Sequence, residues 1–144
     1  MIFLDCETEL IGAGRVTPRI ACVTMGGFEP PTVYIPSRGV EALKHWNEEG
    51  FIVGHNIAFD LACLLRSDPS LAPTIWRWYD EGKIWDLGIH ERLFALAMGW
   101  GLHPQIGKPI ISAGVSLASL AKGLLGIEIG ESKTNKNAPR MRYG

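Results

Sequence analysis

Two carboxylates lie two residues apart near the beginning of the chain, at Asp5 and Glu7. They directly follow four apolar residues, 1–4, which predict a buried central strand. Side chains at positions i and i+2 of a strand point to the same side, so both carboxylates would face one point while Cys6 turns away. Neighbouring carboxylates repel each other unless a cation lies between them, and oxygen ligands favour Mg²⁺ or Mn²⁺. Ordinary acids at the end of a strand would give the same short pattern.

A second polar segment, from Gly54 to Asp60, follows the short apolar run 51–53. Asn56 and Asp60 are four residues apart, so on a helix they share one face at its N-terminal end. Asn56 can cap this helix, bond to the acidic residues, or do both. Asp60 would then be a third carboxylate beside Asp5 and Glu7. The alternative interpretation is a helix cap followed by one solvated acid.

The elements that must position these residues are strands first, then alternating helices and strands. Strands are predicted at residues 1–4, 19–25, 32–35, 51–53 and 83–85, and the first three should form an antiparallel meander. Helices are predicted at 40–49, 57–66, 73–79 and 87–98, then from Ser116 to Gly126 with Leu117, Leu120, Leu124 and Leu125 on one face, after a Gly/Pro-rich loop at 102–114. This order predicts an α/β fold, with a mixed sheet flanked by helices, in a single domain spanning residues 1–144.

Composition excludes several classes of protein. The formal net charge of −1 provides no overall basic field, so any contact with nucleic acid must be local. Cys6, Cys22 and Cys63 are odd in number and far apart, which is typical of reduced thiols and not of disulfides or a zinc site. No basic leader precedes the first strand, and no apolar run approaches the roughly 20 residues of a membrane span. We therefore expect a soluble intracellular domain.

Taken together, the two motifs resemble a known superfamily. A strand followed by Asp5-x-Glu7, and a second strand followed by Gly-His-Asn56-x-x-x-Asp60, are similar to the first two motifs of the DEDD (DnaQ-like) 3′→5′ exonucleases. The N-terminal proofreading domain of bacteriophage-type family A DNA polymerases is the most similar branch. The similarity continues through residues 85–87, 92–93 and 116–121 into a basic tail at 136–144. It implies an RNase H-like three-layer fold with five strands, and location in the cytoplasm of a bacterial host.

The resemblance also implies a chemistry and a set of roles. Two Mg²⁺ or Mn²⁺ ions would assist hydrolysis of the phosphodiester at the 3′ end of single-stranded DNA, with a polymerase domain in the same polypeptide. The metal ligands and catalytic residues would be Asp5, Glu7 and Asp60, supported from the second shell by Asn56. Contacts to nucleic acid are expected from Thr8, Glu9, Leu10, His55 and Phe59, although Phe59 is also a natural core residue.

One departure from the superfamily qualifies the expected activity. Its third motif places a Tyr or His four or five residues before a fourth Asp, and no Asp follows Asp86 in this sequence. We therefore predict a chain that stops before the helix of the third motif, and weak or absent catalysis. Two alternatives remain open: an RNA 3′ exonuclease similar to ribonuclease D, and a non-catalytic module that binds single-stranded ends or supports a polymerase.

Three further features have structural explanations as well as functional ones. Asp86 ends a predicted strand, and we interpret it as a cap for the helix that follows and not as a fourth ligand. Trp76, Trp78 and Trp85 would stack on bases or, more simply, pack a peripheral helix. The tail residues Lys133, Lys136, Arg140 and Arg142 would contact phosphates or remain solvated.

Overall fold

The computed structural model of this chain describes residues 1–10, 14, 16–27, 30–46, 50–97, 121–122 and 125–128. The chain divides into two compact units, Met1–Leu87 and Gly88–Gly144. The first unit contains the sheet, three helices and every residue of the two motifs.

A mixed sheet forms the framework of the first unit. Its strands are β1 (Ile2–Thr8), β2 (Ile20–Gly26), β3 (Thr32–Tyr34), β4 (Ile52–Gly54) and β5 (Ile84–Asp86). Across the sheet they follow the order β3-β2-β1-β4-β5. Strand β2 is antiparallel to β1 and β3, whereas β4 is parallel to β1 and β5. The predicted meander and the central position of β1 are therefore confirmed.

Helices follow the strands at nearly the predicted positions. They are α1 (Pro36–Lys44), α2 (Ile57–Ser67), α3 (Ala72–Asp80) and α4 (Leu87–Ala97), with a 3₁₀ turn at Pro69–Leu71. The main difference is α1, which begins four residues before the predicted start at Val40 and ends at Lys44, five residues before the predicted end at Glu49. Pro36 explains this difference, because proline needs no hydrogen bond at the first position of a helix and its φ angle is already helical.

One face of the sheet carries the hydrophobic core. Leu4 and Cys6 of β1 point into it, and α1, α2 and α3 contribute the facing side chains. The buried members are Leu4, Cys6, Ile20, Val23, Val40, Leu43, Ile52, Ile57, Leu61, Cys63, Leu64, Leu71, Ile75 and Trp78. The prediction that the strand at residues 1–4 is buried is wrong for Phe3, which is 45% exposed. Phe3 points to the face opposite to Leu4, because alternate side chains of a strand point to opposite faces. An α/β fold with a mixed five-stranded sheet flanked by helices is confirmed.

The three tryptophans for which base stacking and helix packing are both considered, Trp76, Trp78 and Trp85, differ in their burial. Trp78 of α3 is fully buried, and its ring meets that of Trp46 edge to face with the centroids 5.4 Å apart. Trp78 is therefore a core residue. Trp76 and Trp85 are exposed to 60% and 44%, and the Trp85 ring lies 5.0 Å from that of Phe51.

The described residues of the second unit are α4 and a short segment near Gly126. Residues 121, 122 and 125 are helical, and Gly126 ends this helix with a φ of +67°. Its N–H donates to the Lys122 carbonyl, the bond of the αL type of helix terminus, and the Ile127 N–H donates to the carbonyl of Ala121. The predicted helix end at Gly126 is confirmed. Ser116, Leu117, Leu120, Leu124, the 102–114 loop and the basic tail lie outside the described residues.

Candidate functional site

Among the residues that the structure describes, Asp60 is the one acidic residue that is buried. It lies in the first turn of α2 and only 4% of it is exposed to solvent. Its Oδ1 accepts a hydrogen bond from the backbone N–H of Cys6, at a distance of 3.1 Å. Cys6 lies between Asp5 and Glu7, so this bond brings the second motif to the first across 54 residues of chain. The interpretation of Asp60 as a solvated acid is thereby excluded.

This location is unfavourable for a negative charge. Burial raises the pKa of Asp60 from 3.8 to about 7, the Cys6 N–H opposes this shift, and the charges of Asp5 and Asp86 add to it. The pKa values of the neighbouring thiols, Cys6 and Cys63, are also raised, first by burial and then by Asp60. A neutral N–H stabilises the carboxylate only in part, and a cation would do so fully.

Asp5 and Glu7 lie on the other side of β1, as their spacing predicted. Both side chains are exposed, whereas Leu4, which precedes Asp5, and Cys6, which lies between the two acids, are buried. Asp5 pairs with Thr24 and Glu7 with Cys22, and the register of β1 against β2 shifts directly after Glu7. Such bulges locally change the direction in which side chains point, and they are frequent beside functional sites. The two exposed acids therefore lie where the strand becomes irregular.

Asn56 occupies the N-cap position of α2, as predicted, but its side chain does not cap the helix. Its backbone is left-handed, with φ 61° and ψ 41°, a conformation that asparagine tolerates better than most residues. Instead, the Asp86 carboxylate from β5 accepts from the N–H groups of Asn56 and Ile57, at 3.2 and 3.0 Å. These two bonds go to the helix before Asp86, because β4 and β5 end side by side. A cap by Asp86 on the helix that follows it stays a prediction.

Gly54 makes the tight connection from β4 to α2 possible. A Cβ atom at this position would lie 2.4 Å from Cδ1 of Ile57 and 3.0 Å from the carbonyl oxygen of Leu4. Real Cβ atoms do not come within 2.4 Å of another atom, and the 3.0 Å approach is also tight because the Leu4 oxygen belongs to the backbone of β1. Glycine therefore allows only two residues to separate β4 from α2, and it allows α2 to pack closely on β1.

The residues predicted to contact nucleic acid are distributed around this site. Glu9 and Leu10 are exposed, the Thr8 hydroxyl donates to the Glu9 carbonyl at 3.0 Å, and His55 is half-buried. Phe59 is partly buried and packs against the core. Its core interpretation is confirmed, and a stacking role for it stays a prediction, as do the contacts of the other four.

The arrangement supplies oxygen donors of the kind that Mg²⁺ and Mn²⁺ prefer, at the junction of β1 and α2. In the described part of the chain, however, no three His, Cys, Asp or Glu side chains are gathered closely enough to hold a metal ion. Asp86, the nearest further acid on β5, already uses both oxygens on backbone N–H groups. Asp5, Glu7 and Asp60 thus suit a hard cation in donor type but do not form a closed coordination shell.

Two contributions to this site were not predicted: the Cys6 backbone N–H and the bonds from Asp86 to α2. The first depends on how α2 packs on β1, which no sequence pattern reports. The second had a signal, because Gly54 and Asp86 end consecutive strands that are both short and apolar, and such strands are commonly parallel neighbours.

Comparisons with known proteins add no assignment. No protein-family model, no curated protein and no solved structure matches this chain. Among the described residues, no helix has both the length and the hydrophobicity that crossing a membrane requires.

Proposed function

We propose that this chain is a metal-dependent 3′→5′ exonuclease domain with an RNase H-like fold, acting on the 3′ ends of single-stranded DNA in proofreading. The observation that carries the proposal is the bond from the Cys6 N–H to the buried Asp60 carboxylate, which joins the two acidic motifs. The sheet order β3-β2-β1-β4-β5, with β2 alone reversed among these strands, supports the fold assignment. A polymerase partner and a bacterial host cytoplasm belong to the same proposal.

Asp5, Glu7 and Asp60 would hold Mg²⁺ or Mn²⁺. When bound, such an ion lowers the pKa of a water and stabilises the negative charge that develops on the leaving 3′ oxygen. The reaction adds water to the phosphorus and breaks its bond to the 3′ oxygen, releasing a nucleoside 5′-monophosphate. The part of the chain is to fix the position of Asp60, through the Cys6 N–H, and to leave Asp5 and Glu7 accessible to the substrate.

Calorimetric titration with Mn²⁺ tests the site directly. We expect the Asp5→Asn, Glu7→Gln and Asp60→Asn variants to weaken Mn²⁺ binding by about tenfold or more, since ligand losses should exceed the effect of losing a supporting residue. Asp80→Asn is the matched control, because Asp80 is an exposed acid at the end of α3. Unchanged affinity in Asp5→Asn and Asp60→Asn would refute the assignment.

A nuclease assay tests the reaction and its substrate. A DNA strand labelled at its 5′ end should shorten stepwise from the 3′ end in Mn²⁺, and only slowly, because no Asp follows Asp86 to supply the superfamily's fourth acid. Asp60→Asn should abolish the shortening. An RNA strand of the same sequence distinguishes the ribonuclease D-like alternative, which predicts faster loss of the RNA.

A second candidate is a non-catalytic module that binds single-stranded ends or supports a polymerase. The absence of a gathered group of three ligands among the described residues favours it. This candidate predicts no shortening in the nuclease assay and binding of the same DNA strand in the presence of a chelator, which a direct binding measurement would detect.

A further inference from the structure

We propose that Asp86 is a positioning residue of the candidate site: from the end of β5 it holds the first turn of α2, and thereby holds the Asp60 carboxylate against β1. This inference rests on the proposed function for its catalytic meaning. The contacts from which it is argued do not depend on that function.

The first step is that α2 lacks a cap of its own. The first four N–H groups of any α-helix have no partner within the helix. At α2 the N-cap residue is Asn56, whose left-handed backbone is accompanied by no side-chain cap bond. The Phe59 N–H donates to the Asn56 carbonyl, which leaves the N–H groups before it open to an acceptor from elsewhere in the fold.

The second step is that the acceptor comes from a neighbouring strand. Asp86 pairs with Gly54 where β4 and β5 run parallel, so its carboxylate lies beside the connection from β4 to α2. One oxygen accepts from the Asn56 N–H and the other from the Ile57 N–H, at 3.2 and 3.0 Å. A charged acceptor at a helix N-terminus also interacts favourably with the helix dipole.

The third step links this cap to the site. Asp60 is three residues after Ile57, within the same helical turn, and its carboxylate bonds to the Cys6 N–H on β1. The first turn of α2 is thus attached to β5 through Asp86 and to β1 through Asp60. Gly54 lies close to β1 at this connection, because a Cβ atom there would be 3.0 Å from the Leu4 carbonyl oxygen. Loss of the Asp86 bonds should therefore displace Asp60 relative to Asp5 and Glu7.

Three substitutions in the full-length chain test the proposal. Asp86→Ala removes both acceptors, Asp86→Asn retains one carbonyl oxygen, and Asp80→Ala is the control at an exposed acid. Hydrogen exchange of the Asn56 and Ile57 amides should accelerate at least about tenfold in Asp86→Ala, remain partly protected in Asp86→Asn, and be unchanged in Asp80→Ala. This readout requires no metal and no activity, so it stands even where the exonuclease proposal fails.

Mn²⁺ affinity, measured well below the unfolding temperature of each variant, tests the effect on the site. We expect Asp86→Ala to weaken binding by about 10-fold or more, as for other residues that orient metal ligands, and Asp86→Asn to recover most of this loss. A role in overall stability alone would lower the unfolding temperature and leave the affinity of the folded protein unchanged. Unchanged amide exchange in Asp86→Ala, or unchanged Mn²⁺ affinity in a parent protein that binds Mn²⁺, would overturn the proposal.

Discussion

Single residues of this site are governed by the conflict between burial and charge. Asp60 is almost fully buried, yet the hydrogen bond that its carboxylate accepts comes from a neutral group, the Cys6 backbone N–H. Asp5 and Glu7 are exposed and keep their solvation. One acid of the three therefore bears most of the electrostatic cost, and it is the one attached to the protein core.

The pH dependence of stability should reveal this cost. Burial raises the pKa of Asp60 from 3.8 to about 7, so the folded protein holds this proton more tightly than the unfolded chain does. The free energy of unfolding of the metal-free protein should thus fall as pH rises from about 4 to about 7, by at most about 4 kcal/mol, and change little from this source above that range.

Urea unfolding at pH 5 and pH 8 in the presence of a chelator measures this effect. In the parent protein the free energy of unfolding should be lower at pH 8 than at pH 5. Asp60→Asn should not show this decrease, because its amide does not ionise, whereas Asp80→Asn should show it. An equal decrease in Asp60→Asn and in the parent protein would show that Asp60 is not the group responsible.

At the scale of elements, the connection from β4 to α2 determines where Asp60 lies. Gly54 ends the strand, Asn56 turns the chain through a left-handed conformation, and Asp86 satisfies the first N–H groups of the helix. Each of these contacts constrains the same turn of α2. The position of Asp60 is therefore a property of three packed elements, β1, β4 and β5, and not of α2 alone.

Substitution of Gly54 should affect both the stability of the fold and the binding of Mn²⁺, because Gly54 lies in the connection from β4 to α2. Gly54→Ala places a methyl group against Ile57 and the Leu4 backbone oxygen, so we expect a loss of about 1–3 kcal/mol or more in stability, together with weaker Mn²⁺ binding. Chemical denaturation and calorimetric titration measure the two effects.

Gly39→Ala provides the matched control for this substitution. Gly39 of α1 packs on Val23 of β2, and a Cβ atom would lie 2.7 Å from that of Val23. It should lose comparable stability without any change in Mn²⁺ affinity, because α1 carries none of the candidate ligands. Equal effects of both substitutions on Mn²⁺ binding would contradict a local role for Gly54.

For the first unit as a whole, the core on one face of the sheet supplies the rigidity on which the site depends. Its largest fully buried side chain is Trp78, which packs on Trp46. In the described part of the molecule no acceptor lies within hydrogen-bonding distance of the Trp78 Nε1. Among the described residues, therefore, this side chain contributes packing while its N–H group has no hydrogen-bond partner.

Two substitutions at Trp78, to alanine and to phenylalanine, should differ strongly in the stability that they cost. Trp78→Ala should cost about 3–5 kcal/mol, because it leaves a large cavity. Trp78→Phe should cost much less, since it keeps an aromatic ring against Trp46 and removes the unpaired N–H. Urea unfolding measures both, with Trp76→Phe on the exposed side of α3 as the control. A larger loss in Trp78→Phe than in Trp78→Ala would contradict this account.

The sequence by itself determined the identity and order of the elements in the first unit, because apolar runs, prolines and glycines act locally. It also predicted that Asp5 and Glu7 share one side of a strand, since the alternation of side chains follows from backbone geometry. Only the tertiary structure decided that Asp60 is buried, that the Cys6 N–H binds it, and that Asp86 caps α2 in place of Asn56. These contacts join residues 29 to 54 positions apart, and they depend on strand pairing and helix packing that no local pattern contains.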